Sequence, residues 1–279
     1  RGLVVTGSEI IGMVPYPALL ETGKYYLRKQ RRSTGIPIKD ILDTAVQSLG
    51  LTDVADFNIS ERVLGLPTNL ETSLVEMKLT DFIDEVSRES AAPGGGSIAA
   101  VAGALGASLS SMVSNLTANR RGSEDVDEVL NKTADECQEL KNKLTKAIDA
   151  DTDAFNEYMD ARKLPNKTDE EKSAREIAML AGLKNAVRVP LSTAQQSARA
   201  IEIAETVAKF GNPNSITDVG VGAQMAYSGV LGGIYNVLIN LKDIDDEKFC
   251  SDMRKQCDEL KDSSFKNLDK VLNLVESKL

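Results

Sequence analysis

Asp149-Ala150-Asp151-Thr152-Asp153 places three carboxylates within five positions, the first candidates for chemistry in this chain. They lie in a stretch whose apolar residues recur every three or four positions. Val126, Val129 and Leu130, Cys137, Leu140, Leu144, Ala147 and Ile148, Ala154 and Phe155, and Tyr158 form that series. The spacing predicts a helix with one buried stripe. It requires an apolar residue at position 151, where the chain has an aspartate. Asp149 and Asp153 fall on the polar side with Thr145, Thr152 and Asn156, so only Asp151 is expected to face the core. A buried, unpaired carboxyl keeps its proton to higher pH, which equips it for general acid–base work. A structural role stands equally open, with Asp151 satisfied by a helix terminus or by an arginine such as Arg188.

The chain contains no histidine. This removes the usual general base near neutral pH, Ser-His triads and most zinc sites. Proton transfer must fall to carboxylates, Lys, Tyr, Cys or backbone groups. Asp218, in Ser215-Ile216-Thr217-Asp218, is a second acidic candidate; the pattern resembles a capping box, and a helix-cap acid is its favoured reading. Asn236 and Asn240 lie one turn apart, flanking Val237, Leu238 and Ile239. Amides on an apolar helix must find hydrogen-bond partners, by default a neighbouring helix, alternatively a ligand.

The loop Pro93-Gly94-Gly95-Gly96-Ser97 leads into a run of small residues. Either it only makes a sharp turn, or it opens a helix N-terminus to a carboxylate or polar heterocycle. It has neither the following Lys-Ser/Thr of a Walker A loop nor the preceding strand of a dinucleotide fingerprint, so no nucleotide is expected. Arg120-Arg121 closes the same run, suited to the helix dipole or to an anionic ligand.

The elements that would position these residues divide at about residue 68. Before it, Leu3-Val4-Val5 and Ile10-Ile11-Gly12-Met13-Val14 are short β-like runs. Pro15 opens a helix through Leu19, Leu20 and Tyr25-Tyr26, a basic loop runs from Arg28 to Arg32, and a helix from Pro37 stops at Leu49-Gly50. Residues 1–68 read as the end of an α+β domain whose earlier strands are missing, and 69–77 as a linker. The remainder, 78–279, shows no strand pattern from Leu79 onward. Thr80 is placed to cap a helix carrying Phe82, Ile83 and Val86. An uncharged small-residue helix follows within Ser90 to Asn119, then the acid-bearing helix from about Ser123 to Arg162. Helices at about 169–187 and 190–210 come next, with Pro190 in a first turn or at a kink. A second nearly uncharged helix spans Val219 to Leu241, and an amphipathic one runs from Asp246 to the C-terminus. The expected fold class is mainly all-α: an up-and-down-type helical bundle with two buried small-residue helices, preceded by a short α+β remnant.

Composition narrows the function classes. The 33 basic and 42 acidic side chains leave a formal charge of −9, against a nucleic-acid partner. Cys137, Cys250 and Cys257 are too few for a disulfide framework and suit a reduced, cytoplasmic protein. No charged segment precedes an apolar one at the start, so no signal peptide is expected. Both uncharged runs are long enough to cross a bilayer. They are crowded with Gly, Ser, Gln and Asn and lack an aromatic girdle or one-sided basic flank, so no membrane span is expected.

Several motifs together resemble a known family. Ala92-Pro93-Gly94-Gly95-Gly96-Ser97, Asp149-Ala150-Asp151 with Ala154-Phe155, Leu164-Pro165, Val189-Pro190-Leu191, Thr217-Asp218 and Asn236-Val237-Leu238-Ile239-Asn240-Leu241 are similar to the formimidoyltetrahydrofolate cyclodeaminase domain, in order, over about 78–279. Val5-Thr6-Gly7-Ser8-Glu9-Ile10-Ile11-Gly12, Val14-Pro15 and Ala18-Leu19-Leu20 resemble the end of the glutamate formimidoyltransferase domain that precedes it in the bifunctional enzyme.

The resemblance implies an all-helical homodimer or larger assembly that converts 5-formimidoyltetrahydrofolate to 5,10-methenyltetrahydrofolate and ammonia. It implies Asp151 as acid/base, Asp218 and Asn240 with Asn236 at the pterin or formimidoyl group, and Gly94, Gly95, Gly96 and Ser97 as substrate-positioning residues. Arg120 remains a candidate for an anionic part of the folate. No metal or redox cofactor is implied. The family's transferase uses a histidine from an N-terminal subdomain, so transferase activity is not expected from this chain alone. A methenyltetrahydrofolate cyclohydrolase and a non-enzymatic helical assembly module are the alternatives.

Overall fold

The computed structural model describes residues 9–36, 38–53, 55–66, 73–89 and 92–279. The run Leu3-Val4-Val5 and the expected helix start at Pro37 lie outside them. Of the second β-like run only the end forms a strand: β1 (Val14–Pro15) pairs in parallel with β2 (Val63–Leu64), with Val14 opposite Val63. α1 (Tyr16–Lys29) starts directly after Pro15 and carries Pro17 in its first turn, where the missing N–H costs no helical bond. α2 (Ile38–Leu49) stops at Gly50, which takes the left-handed conformation at φ 64° that closes helices without strain. A single turn, α3 (Ile59–Arg62), leads into β2. Leu19, Leu42, Ala45, Val46, Leu51 and Val63 bury one small apolar cluster among these elements.

α4 (Leu79–Val86) begins after Lys78, so Thr80 sits inside its first turn and does not cap it. Two of its apolar residues are uncovered in the single chain, Leu79 at 73% exposed and Ile83 at 56%. Beyond it lie α5 (Gly95–Thr117), α6 (Asp127–Ala161), α7 (Asp169–Phe210), α8 (Ile216–Asn240) and α9 (Glu247–Glu276). Contacts at both ends of each pair show consecutive helices running antiparallel. Gly96 meets Asp151 while Asn119 bonds Asn131; Tyr158 meets Gly182 while Arg199 pairs with Glu136. Asn240 reaches Ala186 while Gly233 meets Ala194, and Cys250 of α9 bonds the Leu241 carbonyl while Val275 meets Gly220 of α8; α9 therefore runs parallel to α7, with Asp246 on Lys184 and Lys278 on the Ala208 carbonyl. The result is the expected up-and-down bundle.

Small residues let three helices approach closely at its centre. A Cβ on Gly229 of α8 would lie 2.6 Å from the Ser197 hydroxyl of α7, and one on Gly103 of α5 would strike the same hydroxyl from the other side. A Cβ on Gly106 would lie 2.6 Å from the Gly222 carbonyl of α8. This close packing explains why α5 and α8 are rich in Gly, Ala and Ser. The two expected buried helices are present, and their burial is one-sided. Their small faces turn inward, so larger residues turn outward, with Leu105 48% exposed on α5 and Val221, Tyr235 and Ile239 more than half exposed on α8. α5 is long and apolar enough to cross a bilayer by length and composition, yet its small-residue face is covered by α6, α7 and α8.

Two further expectations change. The segment 169–210 is one helix, with Pro190 inside it. It starts at Thr168 and Glu171, whose side chains cap each other's backbone as a capping box. The box expected at Ser215 and Asp218 does not form: Ser215 makes no side-chain cap, and a 3-10 turn over Pro213–Ser215, capped by Asn212, leads into α8 instead.

Candidate active site

Asp151 and its neighbour Asp149 both leave their own helix to cap other elements. Asp149 accepts hydrogen bonds from the Ser73 hydroxyl at 2.9 Å and the Leu74 backbone N–H at 2.6 Å, at the start of the turn Leu74–Glu76. It is therefore a tie to the segment before α4 and not a surface residue. Asp151 reaches the N-terminus of α5. Gly94, the N-cap there, has no side chain to satisfy the first free N–H groups. The Asp151 carboxylate takes that place, accepting from the Ser97 backbone N–H, with the Ser97 hydroxyl 3.5 Å away. Ser97 donates more closely to the Ile148 carbonyl, at 2.8 Å, and so fastens α5 to α6 one turn before the acid. Of the two structural partners open to Asp151, the helix terminus is the one observed. Arg188 lies instead over the Phe249 ring, 5.9 Å from its centroid.

Burial pushes the Asp151 carboxyl above its ordinary range, and the Ser97 backbone and hydroxyl bonds oppose that rise without cancelling it. The carboxyl opens on a cavity of about 300 Å³. Gly94 and Gly95 from the start of α5, Thr152, Phe155 and Tyr158 from α6, Leu183 and Ala186 from α7, and Asn236 and Asn240 from α8 form its walls. Asp243, one turn past Asn240, lies at its rim.

The glycine run therefore divides. Gly94 and Gly95 line the cavity, and a Cβ on Gly95 would stand 3.2 Å from the Asn236 amide nitrogen. Gly96 and Ser97 are buried behind Asp151, so they hold the acid and do not face a substrate. Only Gly94 precedes the helix; Gly95, Gly96 and Ser97 form its first turn. Asn236 spends its amide nitrogen on the Gly232 carbonyl at 2.8 Å, and Asn240 spends its own on the Ala186 carbonyl at 2.7 Å. The default helix-to-helix reading thus holds for the Asn240 donor, although the residue also lines the cavity.

Two expected residues are elsewhere. Asp218 sits in the first turn of α8, eighteen positions before Asn236, which is roughly 27 Å along the helix. Arg120 lies past the far end of α5, on a separate cavity of about 370 Å³ shared with Arg31, Arg32 and Asn115. Neither reaches Asp151 within one chain. Thr152 and Asp243 were missed as site residues. Position 243 carried a signal, since it continues the Asn236-Asn240 face by almost one further turn.

Known proteins resemble both parts of the chain. A family model described as Formiminotransferase-cyclodeaminase matches residues 78–259, and one described as Formiminotransferase domain matches residues 1–67. The Formimidoyltransferase-cyclodeaminase of Gallus gallus is 35% identical over 99% of this chain and 51% of its own length. The chain thus spans about half the length of that relative. The Methenyltetrahydrofolate cyclohydrolase of Methylorubrum extorquens is 36% identical over 71% of this chain and 95% of its own length. The solved structure of formiminotetrahydrofolate cyclodeaminase from Thermotoga maritima covers 74% of this chain and 98% of its own, with a TM-score of 0.66 and 28% identity.

Proposed function

The chain belongs to the formiminotransferase-cyclodeaminase family, and from that membership we propose that its helical bundle, residues 78–279, is a formimidoyltetrahydrofolate cyclodeaminase. The observation that carries the reading is the seat of Asp151: a half-buried carboxyl with a raised pKa, pinned at the α5 N-terminus and open on one cavity. In this reading N10 of the folate attacks the formimidoyl carbon held on N5. Asp151 accepts the N10 proton and returns a proton to the nitrogen that leaves as ammonia. As a carboxylate it also stabilises the cationic methenyl product. The closure is intramolecular, so orientation by the cavity walls supplies much of the acceleration. Gly94, Gly95, Asn236 and Asn240 are placed to orient the folate. No oxidation state changes, so the step calls for no redox cofactor.

Incubating the chain with synthetic 5-formimidoyltetrahydrofolate tests this: methenyltetrahydrofolate absorbance should rise with equimolar release of ammonia. A chain that binds tetrahydrofolate but yields neither product would overturn it. The Methylorubrum extorquens relative supports a second reading, methenyltetrahydrofolate cyclohydrolase. A higher rate on the methenyl than on the formimidoyl compound would favour that reading. The 279 residues hold no histidine, and we expect them alone not to transfer the formimidoyl group. We further place the enzyme in the cytoplasm as a homodimer or larger assembly. The outward apolar residues of α5 and α8 support a partner copy.

A further inference from the structure

Threonines on α6 normally satisfy their hydroxyls within the helix. Thr133 donates to the Val129 carbonyl at 2.7 Å and Thr145 to the Lys141 carbonyl at 2.8 Å, each four residues back. The corresponding acceptor for Thr152 is the Ile148 carbonyl. That oxygen already receives the Ser97 hydroxyl at 2.8 Å, in addition to the helical N–H of residue 152. Both of its lone pairs are used. The Thr152 hydroxyl is accordingly buried with no protein partner, and its side chain lines the cavity beside Asp151. Buried hydroxyls without partners are rare in native folds because leaving them unpaired is unfavourable. Here the bond that would have satisfied it is blocked by the residue that seats the acid.

We propose that Thr152 is a substrate-contact residue, whose hydroxyl donates to the imino nitrogen of the formimidoyl group. This deepens the cyclodeaminase reading and rests on it. Asp151 and Thr152 are consecutive on α6 and border the same cavity, so both side chains flank the space in which the acid works. The imino nitrogen of the neutral formimidoyl group carries a lone pair, the acceptor that the occupied Ile148 carbonyl denies the hydroxyl. The contact would hold the leaving nitrogen toward Asp151.

The test compares wild type with Thr152→Val, which removes the hydroxyl at nearly constant shape, and Thr152→Ser, which keeps it. Thr152→Ala provides a second hydroxyl-free variant. Ammonia release by Thr152→Val and Thr152→Ala should fall about tenfold in kcat/KM, the effect of one lost hydrogen bond. Thr152→Ser should stay near wild type. Thr152→Val should melt no lower than wild type, because no protein bond is lost. Equal kcat/KM in an active wild type and Thr152→Val overturns this proposal alone, as does a marked drop in the melting temperature of Thr152→Val. A wild-type chain that releases no ammonia overturns the functional reading and this proposal with it.

Discussion

Gly96 and Asp151 occupy each other's space: a Cβ built on Gly96 falls onto the carboxyl group of Asp151. The glycine is required by the acid and not by a turn, since Gly96 is already helical. The positive end of α5 is consequently filled by a side chain of its own protein. An anionic ligand would compete with Asp151 there, whereas a cationic one would sit against the carboxylate.

Gly96→Ala should therefore displace the carboxyl. Misplacing a catalytic group by about 1 Å costs on the order of 100-fold in rate, and kcat for ammonia release should fall by about that factor. Gly95→Ala meets only the movable end of the Asn236 amide, at 3.2 Å, and should lose less than tenfold by rough comparison. Equal losses in the two variants would remove the acid's seat as the reason for the glycine.

Asp151→Asn should abolish ammonia release while the protein still folds and binds tetrahydrofolate. In wild type, kcat/KM should rise with pH through the elevated Asp151 pKa, because the carboxylate is the form that takes the N10 proton. Asp243 and Tyr158 are the other titratable groups at this cavity, so Asp243→Asn and Tyr158→Phe should leave that acid limb in place. For stability, the folded pKa lies above the unfolded one. The favourable contribution of Asp151 is present below the unfolded pKa and is lost as pH rises through the folded value. Asp151→Asn should then melt at least as high as wild type at neutral pH, and the difference should shrink in acid. Near-normal turnover by this variant would remove Asp151 from the mechanism.

Ser97→Ala removes both the hydroxyl near Asp151 and the tie to the Ile148 carbonyl. Stability should fall by about 1 kcal/mol, the net worth of one hydrogen bond. The acid limb of the pH profile should move to higher pH, since one opposing influence on the raised carboxyl is gone. The vacated Ile148 carbonyl can now accept the Thr152 hydroxyl, so Thr152→Val should cost less activity in the Ser97→Ala background than in wild type. Additive losses would mean the two hydroxyls do not compete for that carbonyl.

Legibility followed periodicity. Asp151 was visible because a long, regular stripe made one polar residue conspicuous, and the bundle followed from amphipathic stretches together with two uncharged small-residue runs. Val63–Leu64 was not visible as a strand, since two residues carry no period. Arg120 and Asp218 were drawn toward the site by their residue types, yet each lies at the helix end away from it. A sequence pattern gives the face of a helix more readily than the end of the bundle to which a residue belongs. Thr152 was hidden for another reason: its significance comes from Ser97, 55 positions earlier, taking the carbonyl it would otherwise use.

Pro190 was expected in a first turn or at a kink, and α7 runs through it as one helix. Proline lacks an N–H, so the Ala186 carbonyl four residues back loses its helical donor. Asn240 of α8 supplies the replacement, its amide nitrogen 2.7 Å from that oxygen. Gly233, half-way along the same contact, lets α8 approach the Pro190 backbone, where a Cβ would lie 2.6 Å from the carbonyl. Asn240→Leu should leave a half-buried acceptor without its donor and lower stability by roughly 1 kcal/mol. In Pro190→Ala the helix regains its own donor for Ala186, so the same Asn240→Leu change should cost clearly less. The double-mutant cycle, read by denaturant unfolding, isolates this coupling. If Asn240→Leu is equally costly in both backgrounds, the amide is not standing in for the missing N–H. Because Ala186 and Asn240 both line the cavity, Asn240→Leu should also raise the KM for the formimidoyl substrate.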